Sequence, residues 1–146
     1  MGRVTATITG PGEDVARVPA LLDELARPHR LDADAVADMQ VALDEILSNI
    51  LENGFADGHP HRINVTLSVE RDRLKAEVED DCAPFDPLAV PPPDIGASLK
   101  DRRIGGLGVH FVRNLMSDVS YARVDGRNRL VLVKLLAVEG GGDGVA

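Results

Sequence analysis

The sequence predicts an α+β fold, a two-layer sandwich with three helices on one face of a mostly antiparallel five-stranded sheet. The first observation is the order of periodic segments, which runs strand, helix, helix, two strands, helix, two strands. The second is that the last four strands form two pairs, each joined by a short polar turn, as in β-hairpins. The third is length, because 146 residues that are 44% apolar suffice for one domain with a core.

The first part of the chain is predicted to form a strand and two helices, at 3–9, 13–26 and about 32–53. The strand alternates β-branched and small residues until a Gly-Pro-Gly sequence interrupts it. We expect Pro28 to end the first helix and either Asp32 or Asp34 to cap the second. Gly54 follows the second helix, where a left-handed glycine is a common stop.

The remaining elements are two predicted hairpins with a helix between them: strands at 62–70 and 73–80, a helix from 105 to about 116, and strands at 119–124 and 130–138. Arg71-Asp72 is the first predicted turn and Asp125–Asn128 the second. The segment Ala83–Arg103 contains five prolines and little periodicity, so we expect a mobile lid. We assign residues 1–138 to one domain and the Gly-rich residues 139–146 to a disordered tail.

Composition excludes several classes of function. The net charge of −8 and the absence of Trp argue against a general nucleic-acid binder, which needs a basic face and stacking side chains. No apolar run approaches the roughly 20 residues of a membrane span, so we expect no membrane partner. A single cysteine forms no internal disulfide and fits a reducing cytoplasm.

The most informative motif lies in the second predicted helix. Glu45, Asn49 and Asn53 are spaced four residues apart and form one polar stripe, while the apolar residues between them face a core. A carboxamide oxygen is a ligand for a hard cation such as Mg²⁺, and a carboxylate one turn away orients or deprotonates a hydroxyl. This spacing therefore predicts part of a nucleotide site.

Two further motifs suit a nucleotide. Asp80 ends a buried strand, where a carboxylate accepts a hydrogen bond from the exocyclic amine of adenine. Gly105-Gly106-Leu107-Gly108 opens a helix whose free N–H groups suit phosphates, and Arg102 and Arg103 precede it with positive charge. His59 and His61 lie close together, but no third ligand is near them in sequence, so no metal site is predicted there.

In this order and spacing the motifs resemble the GHKL (Bergerat-fold) ATP-binding domains, and most closely the anti-sigma-factor serine/threonine kinases. The resemblance covers residues 4–136 and includes an intact Pro-Phe-Asp-Pro sequence at 84–87. It implies that Glu45 is the catalytic base, that Asn49 is the Mg²⁺ ligand and that Asn53 lies near the phosphates. It also implies that Asp80 reads adenine. The implied phosphate-binding residues are Arg103, Gly105, Gly106, Leu107 and Gly108.

Cys82 departs from the family pattern, because it stands where the family has a glycine beside the adenine. If that position requires a positive φ or a close approach to the base, a cysteine there is strained and ATP binds more weakly. We count Cys82 among the nucleotide-binding residues on this basis.

The resemblance implies a cytoplasmic, ATP-dependent protein serine/threonine kinase. Its implied partners are a STAS-class antagonist, which it phosphorylates, and a sigma factor or comparable regulator, which it sequesters; it would also form a homodimer. An alternative is a degenerate or purely sequestering module without kinase activity, which Cys82 favours. A third interpretation, the catalytic half of a histidine kinase, ranks low because no phosphoacceptor helix pair fits in this length.

Overall fold

A computed structural model describes residues 2–10, 12–89 and 106–136. Its helices and strands are β1 (Gly2–Ile8), α1 (Glu13–His29), α2 (Ala33–Asn53), β2 (Ile63–Glu70), β3 (Arg73–Asp80), α3 (Gly106–Leu115), β4 (Asp118–Val124) and β5 (Arg127–Leu135). The five strands form one sheet in the order β1-β2-β3-β5-β4, and all neighbouring strands are antiparallel. The predicted α+β architecture is confirmed. None of the helices in the described part of the chain is long and apolar enough to cross a bilayer.

One hydrophobic core lies between the sheet and the three helices. Alternate residues of β2 and β3 are buried, as a strand with one covered face requires. The sheet contributes Leu67 and Val78, among others, to this core. The helices α1, α2 and α3 contribute Leu22, Leu43 and Val112, respectively, among others. Burying a side chain of this size contributes about 1.5–3 kcal/mol, so the helix–sheet layer is the main stabilising contact.

The prediction that Pro28 ends the first helix is wrong. The helix continues to His29, and Arg30 then adopts the left-handed conformation with φ 52°. The last turn of α1 packs closely against Gly2 of β1. The space beside Gly2 is filled by the ring of His29, because a Cβ added to Gly2 would lie 2.8 Å from that side chain. Packing against β1 therefore outweighs the helix propensity of one proline.

Both ends of α2 are as predicted, but Gly54 does not adopt the predicted left-handed conformation. Asp32 is the N-cap, and its carboxylate accepts a hydrogen bond of 3.2 Å from the N–H of Asp34. Gly54 keeps helical angles (φ −69°, ψ −34°), and the chain continues through a 3-10 turn, Gly54–Asp57, to a left-handed Gly58 at φ 79°. A glycine is needed at 54 for space, because an added Cβ would lie 2.6 Å from Sγ of Cys82.

The second hairpin turns more tightly than predicted. Asp125 and Gly126 alone form the turn, with φ 52° and 77°, as in a two-residue hairpin loop. Arg127 and Asn128 consequently belong to β5, where Asn128 is opposite Asp80 of β3. The predicted tail at 139–146 and the lid beyond 89 lie outside the described residues.

Candidate nucleotide-binding site

A cavity of about 230 Å³ opens between α2 and the ends of β3 and β5. Apolar side chains form most of its wall, and a few polar groups complete the lining, as in small-molecule sites generally. The lining residues are Ile46, Asn49, Ile50, Asn53, Gly54, Asp57, Val78, Asp80, Cys82, Ala83, Pro84, Phe85, Pro87, Tyr121, Asn128 and Leu130.

Asp80 is the buried acidic group of this cavity, with 5% of its surface exposed. Its Oδ1 accepts hydrogen bonds of 2.9 Å from the N–H of Cys82 and from Nδ2 of Asn128. Within the described part of the chain, no hydrogen bond reaches its Oδ2. A fixed carboxylate with one oxygen left for a ligand suits recognition of an amine donor.

Asn128 is the residue of the candidate site that the sequence analysis missed. Besides Asp80, its Nδ2 donates to the carbonyl of Ala83 at 2.9 Å, and its Oδ1 accepts from the N–H of Phe85 at 3.1 Å and from the hydroxyl of Tyr121. Both donors and both acceptor positions of the carboxamide are thus used, in a side chain only 6% exposed. Asn128 therefore fixes both the orientation of Asp80 and the path of the chain after β3.

The segment Ala83–Ala89 is anchored, so the predicted mobile lid is wrong for these residues. Besides Asn128, two arginines hold it: Arg123 donates to the carbonyl of Cys82 at 2.9 Å, and Arg113 of α3 donates to the carbonyl of Leu88 at 2.8 Å. The carboxylate of Asp86 accepts from the N–H of Leu88 at 2.8 Å and caps the start of the 3-10 turn Pro87–Ala89. The Pro-Phe-Asp-Pro sequence is therefore a fixed wall of the cavity.

Cys82 is buried, with 3% of its surface exposed, and lines the same cavity. The described non-glycine residues with positive φ are Arg30, Arg71 and Asp125, so Cys82 carries no left-handed strain. The expectation of backbone strain is therefore wrong, while a steric cost against the adenine stays a prediction. Burial, and then the neighbouring charge of Asp80, raise the pKa of the Cys82 thiol to about 12. Near neutral pH the residue is thus a protonated, unreactive thiol.

The polar stripe of α2 faces the cavity in part. Asn49 and Asn53 line it, whereas half-exposed Glu45, one turn earlier, is outside the lining. Asn53 donates from Nδ2 to the carbonyl of Asn49 at 3.0 Å, so part of its carboxamide serves the helix. No hydrogen bond to the Asn49 side chain forms among the described residues, and its oxygen suits a hard cation.

The predicted phosphate-binding segment is described only in part. Gly106, Leu107 and Gly108 form the first turn of α3, which packs against α2. Arg103 and Gly105, together with Arg102, lie outside the described residues, as does the side chain of Leu107. The start of α3 thus agrees with the prediction, while the roles of these residues stay predictions.

Comparison with known proteins agrees with these features. Residues 11–134 match the model of the histidine kinase-like ATPase domain. The chain is 34% identical over 118 residues to the serine/threonine-protein kinase BtrW of Bordetella bronchiseptica, covering 81% of this chain and 83% of that protein. It is 26% identical over 121 residues to the serine-protein kinase RsbW of Listeria monocytogenes, covering 80% and 77%.

The fold also recurs in a solved structure. A chain of the SiaB–SiaC complex from Pseudomonas aeruginosa superposes with a TM-score of 0.51 at 16% identity, covering 88% of each chain. At this identity the likeness concerns the fold alone. The matched domain model spans most of the chain and the Bordetella kinase is similar along most of its length. This chain therefore belongs to the histidine kinase-like ATPase (GHKL) family, in its branch of ATP-dependent serine/threonine-protein kinases of the anti-sigma type.

Proposed function

We propose that this kinase transfers the γ-phosphoryl group of Mg-ATP to a serine or threonine of a STAS-class antagonist protein. We further propose that it acts in the cytoplasm as a homodimer and sequesters a sigma factor or comparable regulator in the same switch. The main structural support for ATP binding is Asp80. This carboxylate is buried, its Oδ1 is fixed by hydrogen bonds within the protein, and its Oδ2 lacks a partner among the described residues.

Asp80 is the proposed adenine reader. Its Oδ2 would accept a hydrogen bond from the exocyclic amine of adenine, whereas guanine presents a carbonyl oxygen at that position. Two acceptors facing each other in a buried site repel, so the carboxylate should select ATP over GTP. The apolar wall provided by Ile46, Val78 and Leu130 suits a flat base above this carboxylate.

The phosphate end is proposed to lie along α2 and the start of α3. The chemistry of the Asn49 carboxamide fits Mg²⁺, which when bound would neutralise charge on the transferred phosphoryl group. The first N–H groups of α3, at Gly106 to Gly108, would hold phosphate oxygens. We propose the same region for Asn53, Arg103 and Gly105, as the family resemblance implies, whereas Cys82 is proposed for the adenine end beside Asp80.

Glu45 is proposed as the base that receives the hydroxyl proton of the acceptor. It lies outside the cavity lining, which suits a group that meets a protein substrate and not the nucleotide. Val41, one turn before it on α2, is 55% exposed, and Phe111 of α3 is 56% exposed. Exposed apolar side chains on the helix that carries the candidate base and on the helix packed against it are expected where a second protein docks.

The alternative of a purely sequestering module loses one of its two supports. It depended on backbone strain or a steric cost at Cys82, and the backbone there is not in the left-handed region. The names of the Bordetella and Listeria relatives, which are protein kinases, also support catalysis.

The test is phosphoryl transfer to candidate STAS proteins. The protein is incubated with Mg-ATP and each candidate, and the mass of the candidate should rise by one phosphate. Asp80→Asn should weaken ATP binding by about 1–3 kcal/mol and reduce the preference over GTP, since it removes a buried hydrogen bond to a charged group. A complex that forms without any phosphate transfer would support the sequestering alternative, and an acid-labile phosphate would point to a histidine acceptor.

A further inference from the structure

We propose that His61, Asp81 and Cys82 form a binding site for a zinc-type divalent ion at the edge of the nucleotide cavity. One nitrogen of His61, one carboxylate oxygen of Asp81 and Sγ of Cys82 lie within 4.8 Å of one another. Nδ1 of His61 is 3.2 Å from Oδ1 of Asp81. A tetrahedral zinc ion with bonds of about 2.0–2.3 Å separates its ligands by roughly 3.3–3.6 Å. Small side-chain rotations would therefore bring the three donors onto one ion.

The donor set selects the metal. Imidazole nitrogen, thiolate sulfur and carboxylate oxygen together suit Zn²⁺, while Mg²⁺ prefers oxygen alone. Three protein ligands leave the fourth tetrahedral position to water, which enters from the side of Asp81, whose side chain is 46% exposed. A coordinating ion deprotonates a thiol outright, so the protonated state of free Cys82 is compatible with this site.

The orientation of His61 is already that of a metal ligand. Its Nε2 lies 2.8 Å from a carboxylate oxygen of Asp57, which directs Nδ1 toward Asp81. The ring of Phe55 packs edge-on against the imidazole, with centroids 5.4 Å apart. Metal-binding histidines commonly use their second nitrogen in such a carboxylate contact, which fixes the ring and strengthens the ligand.

The site would connect two walls of the cavity. Asp57 follows α2 and Cys82 follows β3, and both line the cavity. Gly54 leaves the space in which Sγ sits, since any Cβ there would lie 2.6 Å from the sulfur. An ion held by Cys82 should therefore change nucleotide affinity. This consequence rests on the proposed function, whereas the metal site itself does not.

The experiment uses Co²⁺ as a spectroscopic substitute for zinc. The full-length protein is stripped of metal with a chelator and titrated with Co²⁺ in excess Mg²⁺ and without nucleotide. We expect one ion per chain by native mass spectrometry and a thiolate-to-cobalt charge-transfer absorption, and Zn²⁺ should displace the cobalt. The same titration in the presence of ATP then measures the coupling to nucleotide.

Three variants and a matched control assign the ligands. Cys82→Ser should remove the charge-transfer absorption, and His61→Ala should lower the affinity for Co²⁺ at least tenfold. Asp57→Asn should weaken it about 10–100-fold, the usual effect of losing such a supporting contact. His59→Ala is the control, because His59 is exposed, lies two residues away and is not part of the cluster.

The proposal is overturned if the wild-type protein shows no thiolate absorption at saturating Co²⁺, or if His61→Ala binds Co²⁺ with the affinity of the wild-type protein. It is equally overturned if His59→Ala weakens Co²⁺ as much as His61→Ala does, since the ion then sits on surface histidines. In that case His61 is only an ion-pair partner of two carboxylates. Because the first titration contains no nucleotide, a failure of the proposed kinase function would leave its outcome unchanged.

Discussion

Sγ of Cys82 occupies the space that Gly54 leaves at the end of α2, and a Cβ built on Gly54 would lie 2.6 Å from that sulfur. Cys82 stands where the resembling family has a glycine, so the bulk of the cysteine is matched by a missing side chain on the facing helix. Both residues line the candidate nucleotide cavity. Their contact explains how a side chain is accommodated there without backbone strain.

The effect of Gly54→Ala on stability should depend on residue 82. In the wild-type protein it should lower the free energy of unfolding by about 1–3 kcal/mol, because overpacking a buried contact forces atoms apart. In the Cys82→Gly background the same change should stabilise by up to about 1 kcal/mol, since Gly54 has helical angles and alanine favours them. Urea denaturation of the four proteins gives the coupling energy. Equal effects in both backgrounds would show that the 2.6 Å contact relaxes freely.

Cys82→Gly should not improve ATP binding. Because Cys82 has no positive φ, a glycine there relieves no strain, and it removes a buried side chain from the cavity wall. We expect ATP affinity to stay equal or to fall severalfold. Calorimetry with Cys82→Ala as the matched variant separates loss of the thiol from added backbone freedom. Tighter ATP binding by the glycine variant alone would restore the strain interpretation.

The sequence predicted most elements because their patterns are local. The bounds of β3 are those predicted, since alternation and the Arg71-Asp72 turn define the strand at both ends. The helix end at Pro28, the left-handed conformation of Gly54 and the turn position of Asn128 were predicted wrongly. Their conformations depend on contacts with residues distant in sequence. The need for glycine at position 54 comes from the nearby sulfur of Cys82, and the place of Asn128 in a strand comes from its pairing opposite Asp80. No single-sequence periodicity reports such pairs.

The same limit applies to the candidate site. Helical spacing alone predicts that Glu45, Asn49 and Asn53 share one face of α2, and the family resemblance implies their roles. The structure places the two asparagines on the cavity. By contrast, no third ligand was expected near His61, yet folding brings Asp81 and Cys82 beside it. A strand end and a turn after a helix are neighbours in space and distant in sequence.

Asn128→Ala should cost both stability and nucleotide affinity. It leaves the N–H of Phe85 and the carbonyl of Ala83 without their partner and frees the carboxylate of Asp80 to rotate. We expect the free energy of unfolding to fall by about 1–3 kcal/mol, the cost of unsatisfied buried groups. We also expect ATP to bind at least tenfold more weakly. Asn64→Ala is the matched control, because Asn64 is a half-buried strand asparagine that is not among the cavity-lining residues and makes no hydrogen bond to Asp80 in the described part of the chain. Unchanged ATP affinity in a folded Asn128→Ala protein would contradict the positioning role.

Stability should fall as the pH rises through the folded-state pKa of His61. The hydrogen bond to Asp57, assisted by Asp81 and opposed by burial, raises this pKa above 6.5. The contribution of protonated His61 is therefore complete below 6.5 and is lost at higher pH. The hydrogen bond from the N–H of His59, followed by that from His61, lowers the pKa of Asp57 below 3.8, so its contribution is lost only as the pH falls through that lowered value.

This pH dependence is measured by urea denaturation across the neutral range. His61→Gln should flatten the decline above pH 6.5, and His59→Ala should leave it in place. A wild-type profile that stays flat there would show that the charged form of His61 adds nothing to folding.

Glu45 should affect chemistry far more than nucleotide binding, because it lies on α2 one turn from Asn49 and outside the cavity lining. We expect Glu45→Ala to keep ATP affinity within a few fold and still to bind the acceptor protein. Phosphoryl transfer should fall by a factor on the order of 10² or more, the usual contribution of a general base. Glu52→Ala, an exposed glutamate on the same helix, controls for lost negative charge. Single-turnover transfer measured with saturating Mg-ATP separates the chemical step from binding. Near-normal transfer by Glu45→Ala would reduce this glutamate to part of the solvated helix face.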